Sequence, residues 1–323
     1  HYNCSIIIPC YNEFNYVFNT LDSISAQDQI LLNETLVIIV INNSSNDNEK
    51  IKNNNFQTYN LLLKKQYNFE FIAIDCFSNK FALNPRNSGV GYARKTGLDF
   101  CLRYIKNQYS LLCSLDADTL ISSDYINVVN KIFTGKTTGA CVLNFRHQKS
   151  HDSIIEKGIR KYEKKIKYIA KKIHESGSPY GYVSMGSTIV CNAESYVACG
   201  GMSKKKATED FYFLQSLAKY TQIHQAKECI VFPSSRDEQR VYLGTGYRIQ
   251  EYKESGAFKG LSFSDESFSI LNNTIKIIIK SYTMSWKQFD KVLLSKLQVQ
   301  ASNFLKSKNI DTIWEQINTN AKT

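Results

Sequence analysis

Apolar residues in the first 145 positions gather in short unbroken runs at 5–8, 36–41, 69–74, 111–115 and 140–143. Runs of this kind, as opposed to alternating patterns, fit strands buried on both faces of a largely parallel sheet. Between them, segments 17–25 and 92–106 repeat apolar residues at helical spacing. The expectation is an α/β fold, a mostly parallel nucleotide-binding sheet flanked by helices, whose ligands gather beyond the carboxyl ends of the strands.

The pattern changes near residue 149. Ile155, Ile159, Tyr162, Ile166, Ile169 and Ile173 recur at steps of three and four, which predicts one long helix with a narrow apolar stripe over about 154–173. A loop at 176–182, a strand at 187–191, a short helix at 193–198, a Gly-Gly turn, a helix from about Thr208 and a strand at 229–232 follow. From about Asp265 onward the spacing is helical, giving a C-terminal helical extension.

Charge and cysteine content refine this picture. The chain has 323 residues and a formal charge of +11, which invites a polyanion partner. The excess is local: residues 149–174 hold nine Lys and Arg against three Asp and Glu, a net +6. A solvated face over a packed isoleucine stripe accounts for that helix; an anionic or membrane-presented acceptor is the functional alternative. Nucleic acid is not expected as a partner, because no recognised module is present. The nine cysteines, mostly within apolar runs and without a Cys-x-x-Cys pair, read as buried thiols of a reducing compartment. No apolar stretch of the roughly 18 residues needed to span a bilayer occurs, and no charged-then-apolar leader precedes the first strand. A cytoplasmic location is expected, peripheral at the inner membrane face if the basic helix meets lipid.

The sharpest chemical feature is Asp116-Ala117-Asp118, two carboxylates one residue apart directly after an apolar strand. Hard oxygen ligands at a strand end suit a Mg2+ or Mn2+ ion that also takes phosphate oxygens, although an acidic turn explains the same residues without chemistry. Pro9-Cys10-Tyr11-Asn12-Glu13 ends the first strand and Asn42-Asn43-Ser44-Ser45 the second, offering polar groups to a base and ribose. Asn87-Ser88-Gly89-Val90-Gly91-Tyr92-Ala93-Arg94 supplies small residues, a helix start and a cation. Glu209-Asp210 follows the acidic pair by about ninety residues. Were Thr208 a helix N-cap, these two acids would be ordinary first-turn residues.

With Gly200-Gly201-Met202 and Glu209-Asp210-Phe211, these elements resemble, over residues 4 to about 220, the family 2 glycosyltransferases of GT-A fold. The resemblance implies an inverting, non-processive, metal-dependent hexosyltransferase that uses a nucleotide-diphosphate sugar, a UDP-sugar by default. It implies a GT-A domain over 1–250, with a donor half at 1–145 and an acceptor half at 146–250, and an extension at 251–323. By the same resemblance Asp118 and Asp116 hold Mn2+ or Mg2+, and Pro9, Tyr11, Asn12, Glu13, Asn43, Arg94 and Asp116 bind the donor nucleotide. Asp210 is the general base, while Glu209, Gly200 and Gly201 belong to the acceptor side.

Departures from the family pattern matter. Asn42-Asn43-Ser44-Ser45 replaces the common Asp-Asp-Gly-Ser, which leaves the base open. The Gln-x-x-Arg-Trp motif of processive synthases is absent. In its place stand Arg236 and Arg240, read as diphosphate ligands on a mobile loop or as solvated surface arginines. His224 is read as an ordinary, partly buried histidine in preference to a third metal ligand. Lys204-Lys205-Lys206 adds positive charge just before Glu209. The rival in a different class is a catalytically idle GT-A-like module that binds a nucleotide sugar or a partner. A sugar-nucleotide pyrophosphorylase would need a glycine-rich N-terminal loop that Ile8 to Glu13 lacks.

Overall fold

β-Branched runs become strands here because a pleated surface covered on both sides buries them completely. In the computed structural model, which describes residues 1–86, 88–135, 137–205, 207–238, 244–297 and 299–320, the strands are β1 (Cys4–Cys10), β2 (Thr35–Asn42), β3 (Glu70–Cys76), β4 (Leu111–Ser114), β5 (Leu120–Ile121), β6 (Ala140–Phe145), β7 (Ile189–Asn192) and β8 (Ile223–Phe232). They form one sheet in the order β3-β2-β1-β4-β7-β6-β8-β5. The pairs β1/β2, β2/β3, β1/β4 and β6/β8 are parallel, while β4/β7, β6/β7 and β5/β8 are antiparallel. The sheet is therefore mixed and mostly parallel.

The chain divides into two compact units, His1–Lys164 with Val183–Phe258, and Lys165–Tyr182 with Lys259–Thr323. Helices of the first unit are α1 (Val17–Ser25), α2 (Gln29–Leu32), α3 (Glu49–Leu62), α4 (Val90–Cys101), α5 (Tyr125–Ile132), the first half of α6 (Ser153–Glu175), α7 (Ala193–Ala198), α8 (Glu209–Tyr220) and α9 (Thr245–Ser255). Its core centres on β1 and β2, where Ile6, Ile7, Ile8 and Val37 to Ile41 are fully buried. Ile155 and Ile159 of the α6 stripe pack with Ile249.

The second unit carries α10 (Asp265–Ser281), α11 (Trp286–Lys296), α12 (Val299–Ser307) and α13 (Ile310–Asn320). Phe289 and Trp314 stack at 4.1 Å between ring centroids, with Ile277 and Leu293 beside them. The start of α11 is fixed by a capping box of Ser285 and Gln288. Among the described residues no helix is long and apolar enough to cross a membrane.

Four local expectations are corrected. The 69–74 run is not buried on both faces, because β3 is the sheet's edge and its side chains are mostly half-exposed. The helix expected over 92–106 ends at Cys101. Beyond it the chain turns to meet the first residues, with the Lys106 N–H donating to the Tyr2 carbonyl at 2.9 Å. His224 is exposed rather than partly buried, since β8 begins at Ile223. Seven cysteines are buried as expected, but Cys199 is half-buried and Cys229 exposed.

Candidate active site

Register places the chemistry. Cys4 pairs with both Thr35 and Leu111, so β1, β2 and β4 run together and end on one edge of the sheet. The segments after them, Tyr11 to Glu13, Asn43 and Leu115 to Asp118, emerge there. This edge is where an open α/β sheet binds its ligand.

Two arginines organise the acids. Arg94, buried in α4, donates Nη2 to Asp116 Oδ1 and Nη1 to Glu209 Oε1. Burial alone would push the Arg94 pKa down, but Asp116 and Glu209 outweigh it and hold the guanidinium charged. Burial pushes Glu209 up to about 7, against the pull of Arg94 and with the charge of Asp210 adding to the rise. Arg236, in the segment after β8, reaches Glu13 Oε1 at 2.6 Å and Asp118 Oδ2 at 2.7 Å. Its guanidinium also lies over the Tyr16 ring at 4.4 Å from the centroid. Burial would lower its pKa too, yet Asp118 and Glu13 raise it.

Asp210, in the first turn of α8, is partly exposed, and its Oδ1 accepts from the Phe211 N–H at 2.7 Å. The side-chain cap at Thr208 that the alternative reading of these acids supposes does not form. Thr208 occupies the N-cap position with φ +62°, and its hydroxyl donates to the Ala207 carbonyl without bonding α8. A β-branched residue in the left-handed region is strained, so helix capping alone does not account for the way α8 begins.

The remaining expected residues fall as follows. Pro9 lies inside β1, paired with Val40, and Tyr11 follows the strand end. Asn12 has φ +58°, and its N–H donates to Asn55 Oδ1 at 2.9 Å. Asn43 is fully buried, and its carboxamide is held by the protein itself: Nδ2 donates to the carbonyls of Ser44 at 3.0 Å and Phe77 at 3.2 Å, while Oδ1 accepts from Asn55 Nδ2 at 2.9 Å. That side chain shapes the loop beside the expected base site. Gly200 and Gly201, at φ +81° and +72°, make the turn after α7. Gly91 is required by the protein's own backbone, since a Cβ there would stand 2.3 Å from the Lys205 carbonyl. Lys204 and Lys205 sit over the rings of Tyr92 and Tyr212. Arg240 and Lys206 lie outside the described residues.

Sequence reasoning passed over several supports of this site. Asn55, in a polar run of asparagines, joins Asn12, Asn42 and Asn43. Thr20 donates its hydroxyl to the Ala117 carbonyl at 2.8 Å. Gly186 lies against Arg94, where a Cβ would stand 2.1 Å from Nη2. Only Thr20 carried a signal, a polar residue beside Val17, Leu21 and Ile24 on the buried face of α1.

A mixed, mostly parallel sheet with an Asp-x-Asp pair at its central strand end defines a GT-A type of nucleotide-sugar-dependent transferase. The chain belongs to glycosyl transferase family 2, whose model matches residues 5–185. Among solved structures it is similar to S. aureus TarS 1–349 in complex with UDP-GlcNAc, with a TM-score of 0.51 and 12% identity, over 99% of this chain and 91% of that one. It is also similar to the mannosyltransferase PcManGT from Pyrobaculum calidifontis in complex with GDP-Man and Mn2+, with a TM-score of 0.50 and 14% identity, over 98% of this chain and 83% of that one. At such identities the likeness is one of fold. No curated protein sequence matches.

Proposed function

We propose that this chain is an inverting, non-processive, metal-assisted glycosyltransferase that moves a hexose from a nucleoside-diphosphate sugar to an acceptor hydroxyl. The observation that carries the reading is the convergence of Asp116, Asp118, Glu209 and Glu13 on two arginines at the carboxyl edge of the sheet, with Asp210 adjoining.

Asp118 and Asp116 fit a divalent ion by chemistry, being hard carboxylate ligands that are both partly exposed. Among the described residues no group of three or more His, Cys, Asp or Glu side chains forms a metal cage. A site with two carboxylates and phosphate oxygens is the usual arrangement for Mg2+. When bound, Mn2+ or Mg2+ supplies positive charge against the departing diphosphate.

Arg236 neutralises the leaving phosphates after giving up part of its contact with Asp118. Asp210 takes the proton of the acceptor hydroxyl while that oxygen bonds to the anomeric carbon. The bond from that carbon to the diphosphate oxygen breaks in the same step, which inverts the centre. Glu209 anchors α8 to Arg94 and leaves the base role to Asp210. Gly200 and Gly201 belong to the acceptor side, and the exposed Lys157, Lys161 and Lys164 of α6 favour an anionic acceptor.

The test is donor hydrolysis and transfer across a panel of UDP- and GDP-sugars, with and without Mn2+. Wild type should turn over a donor only with metal, Asp118→Ala should abolish turnover and Asp210→Asn should reduce it by about a hundredfold or more. Retained turnover in Asp118→Ala, or wild-type turnover in Asp210→Asn, would overturn the assignments. Nucleotide binding without turnover of any donor would favour an idle module.

A further inference from the structure

We infer that Gln148 is a positioning residue of the donor site, fixing the distance between the Asp116–Asp118 turn and the segment that carries Arg236. The inference rests on the donor-site reading above.

Gln148 Nε2 donates to two main-chain carbonyls far apart in sequence, Asp118 at 3.0 Å and Phe232 at 2.8 Å. Two carbonyl acceptors can be met only by the NH2 end of the carboxamide, which uses both of its hydrogens here. The Gln148 N–H also donates to the Pro233 carbonyl at 2.8 Å. One residue thus holds Asp118 through its carbonyl, and it holds Phe232 and Pro233 just ahead of Arg236.

Its place in the sheet explains why this matters. The β5/β8 ladder pairs Ile121 with Val231 and Leu120 with Phe232. Beyond that pair the two chains diverge toward Asp118 and Arg236, which must meet again at 2.7 Å. Gln148 spans the gap beyond the last β5/β8 pair.

The clamp is itself held. Arg160 Nη2 donates to the carbonyls of His147 at 2.8 Å and Gln148 at 3.3 Å. Glu163 binds Arg160 Nη1 through both oxygens and pairs with His147 Nδ1 at 2.8 Å. Thr20 holds the neighbouring Ala117 carbonyl. Two successive carbonyls of the acidic turn are therefore fixed by side chains, and of these two bonds it is the Gln148 one that ties the turn to β8. Loss of a partner bonded directly to a metal-ligating side chain typically costs about ten- to a hundredfold in metal affinity, and Gln148, which holds Asp118 through its main-chain carbonyl, belongs at the lower end of that range.

The experiment measures binding and folding together. The nucleoside diphosphate that wild type binds best among UDP, GDP, CDP and ADP is titrated calorimetrically with Mn2+ into wild type, Gln148→Leu, Gln148→Glu, Arg236→Gln and the Gln148→Leu/Arg236→Gln double variant, with a thermal melt of each. Gln148→Leu and Gln148→Glu, which offer the two carbonyls no donor, should weaken Mn2+-dependent nucleotide binding about tenfold. The double variant should bind no more weakly than Arg236→Gln alone, because both changes break one linkage. If either Gln148 variant fails to fold, Gln148→Met, which keeps the stem and removes the donors, carries the same expectation.

Unchanged affinity in the Gln148 variants, or losses that simply add to that of Arg236→Gln, would overturn the inference and leave the donor site standing. Unchanged binding in Arg236→Gln would instead overturn the donor-site reading.

Discussion

Arg236 and Asp118 form a 2.7 Å ion pair at the carboxyl edge of the sheet, and the same guanidinium holds Glu13. A cation thus stands on a carboxylate that is proposed to receive a metal ion. Arg236→Gln should then change two affinities in opposite directions. Mn2+ alone, followed by electron paramagnetic resonance, should bind more tightly, because Asp118 is relieved of its competitor. Nucleoside diphosphate with Mn2+ should bind about tenfold more weakly, the loss of one charge-assisted contact. If both affinities moved in the same direction, Arg236 would not be exchanging a carboxylate for phosphates.

Glu209 makes stability depend on pH. Its pKa rises to about 7 in the folded chain from an ordinary 4.5, mainly through burial. The folded state therefore holds a proton that the unfolded state has released between those values, so stability should fall as pH rises from about 4.5 to about 7. Glu209→Gln, which still accepts a hydrogen bond from Arg94 but does not titrate, should flatten that part of the curve. Thermal melts from pH 4.5 to 8 measure it, and an equal slope in both proteins would show that another group is responsible.

Gly186 tests how tightly Arg94 is held. A methyl there would stand 2.1 Å from Nη2 and 2.3 Å from Cζ, so the guanidinium must move. It is buried between two carboxylates, and moving it loosens Asp116 or Glu209. Gly186→Ala should lose about 1–3 kcal/mol by urea unfolding, the range for overpacking, together with most of the donor affinity. Wild-type stability and affinity would mean that Arg94 has room to shift.

Asn55 supports the strand ends at the expected base site. Asn55→Ala would leave the Asn12 N–H, the Asn42 carbonyl and Asn43 Oδ1 without this partner in a buried place. A destabilisation of about 2–3 kcal/mol is expected in urea, with weakened nucleotide binding in the variant that remains folded at low denaturant. A change below about 0.5 kcal/mol would mean that water replaces the carboxamide at little cost.

How much of this was legible in the sequence depended on what fixed each element. β1, β2 and β4 could be read because burial on both faces leaves unbroken apolar runs. β3 has such a run but lies at the edge, and sheet position is set by pairing, which no local pattern records. β5, two residues long, exists only through β8. The acids at 116, 118, 209 and 210 stood out as motifs. Their grouping through Arg94 and Arg236 did not, since the contacts of Arg94 with Glu209 and of Arg236 with Asp118 each join residues more than a hundred positions apart. Asn43 was legible as a polar strand end, but not as a residue whose hydrogen bonds are taken up by Asn55 and Phe77.

The uneven burial of the cysteines has a practical consequence. Burial pushes the thiols of Cys101 and Cys141 up to about 12, which suppresses the reactive thiolate at neutral pH. Cys229 alone of the nine is exposed, on the strand that leads to Phe232 and Arg236. A maleimide dye should therefore attach chiefly at one position of the unaltered chain. Its fluorescence would follow movement of that strand end as nucleotide and metal are added, with no engineered cysteine.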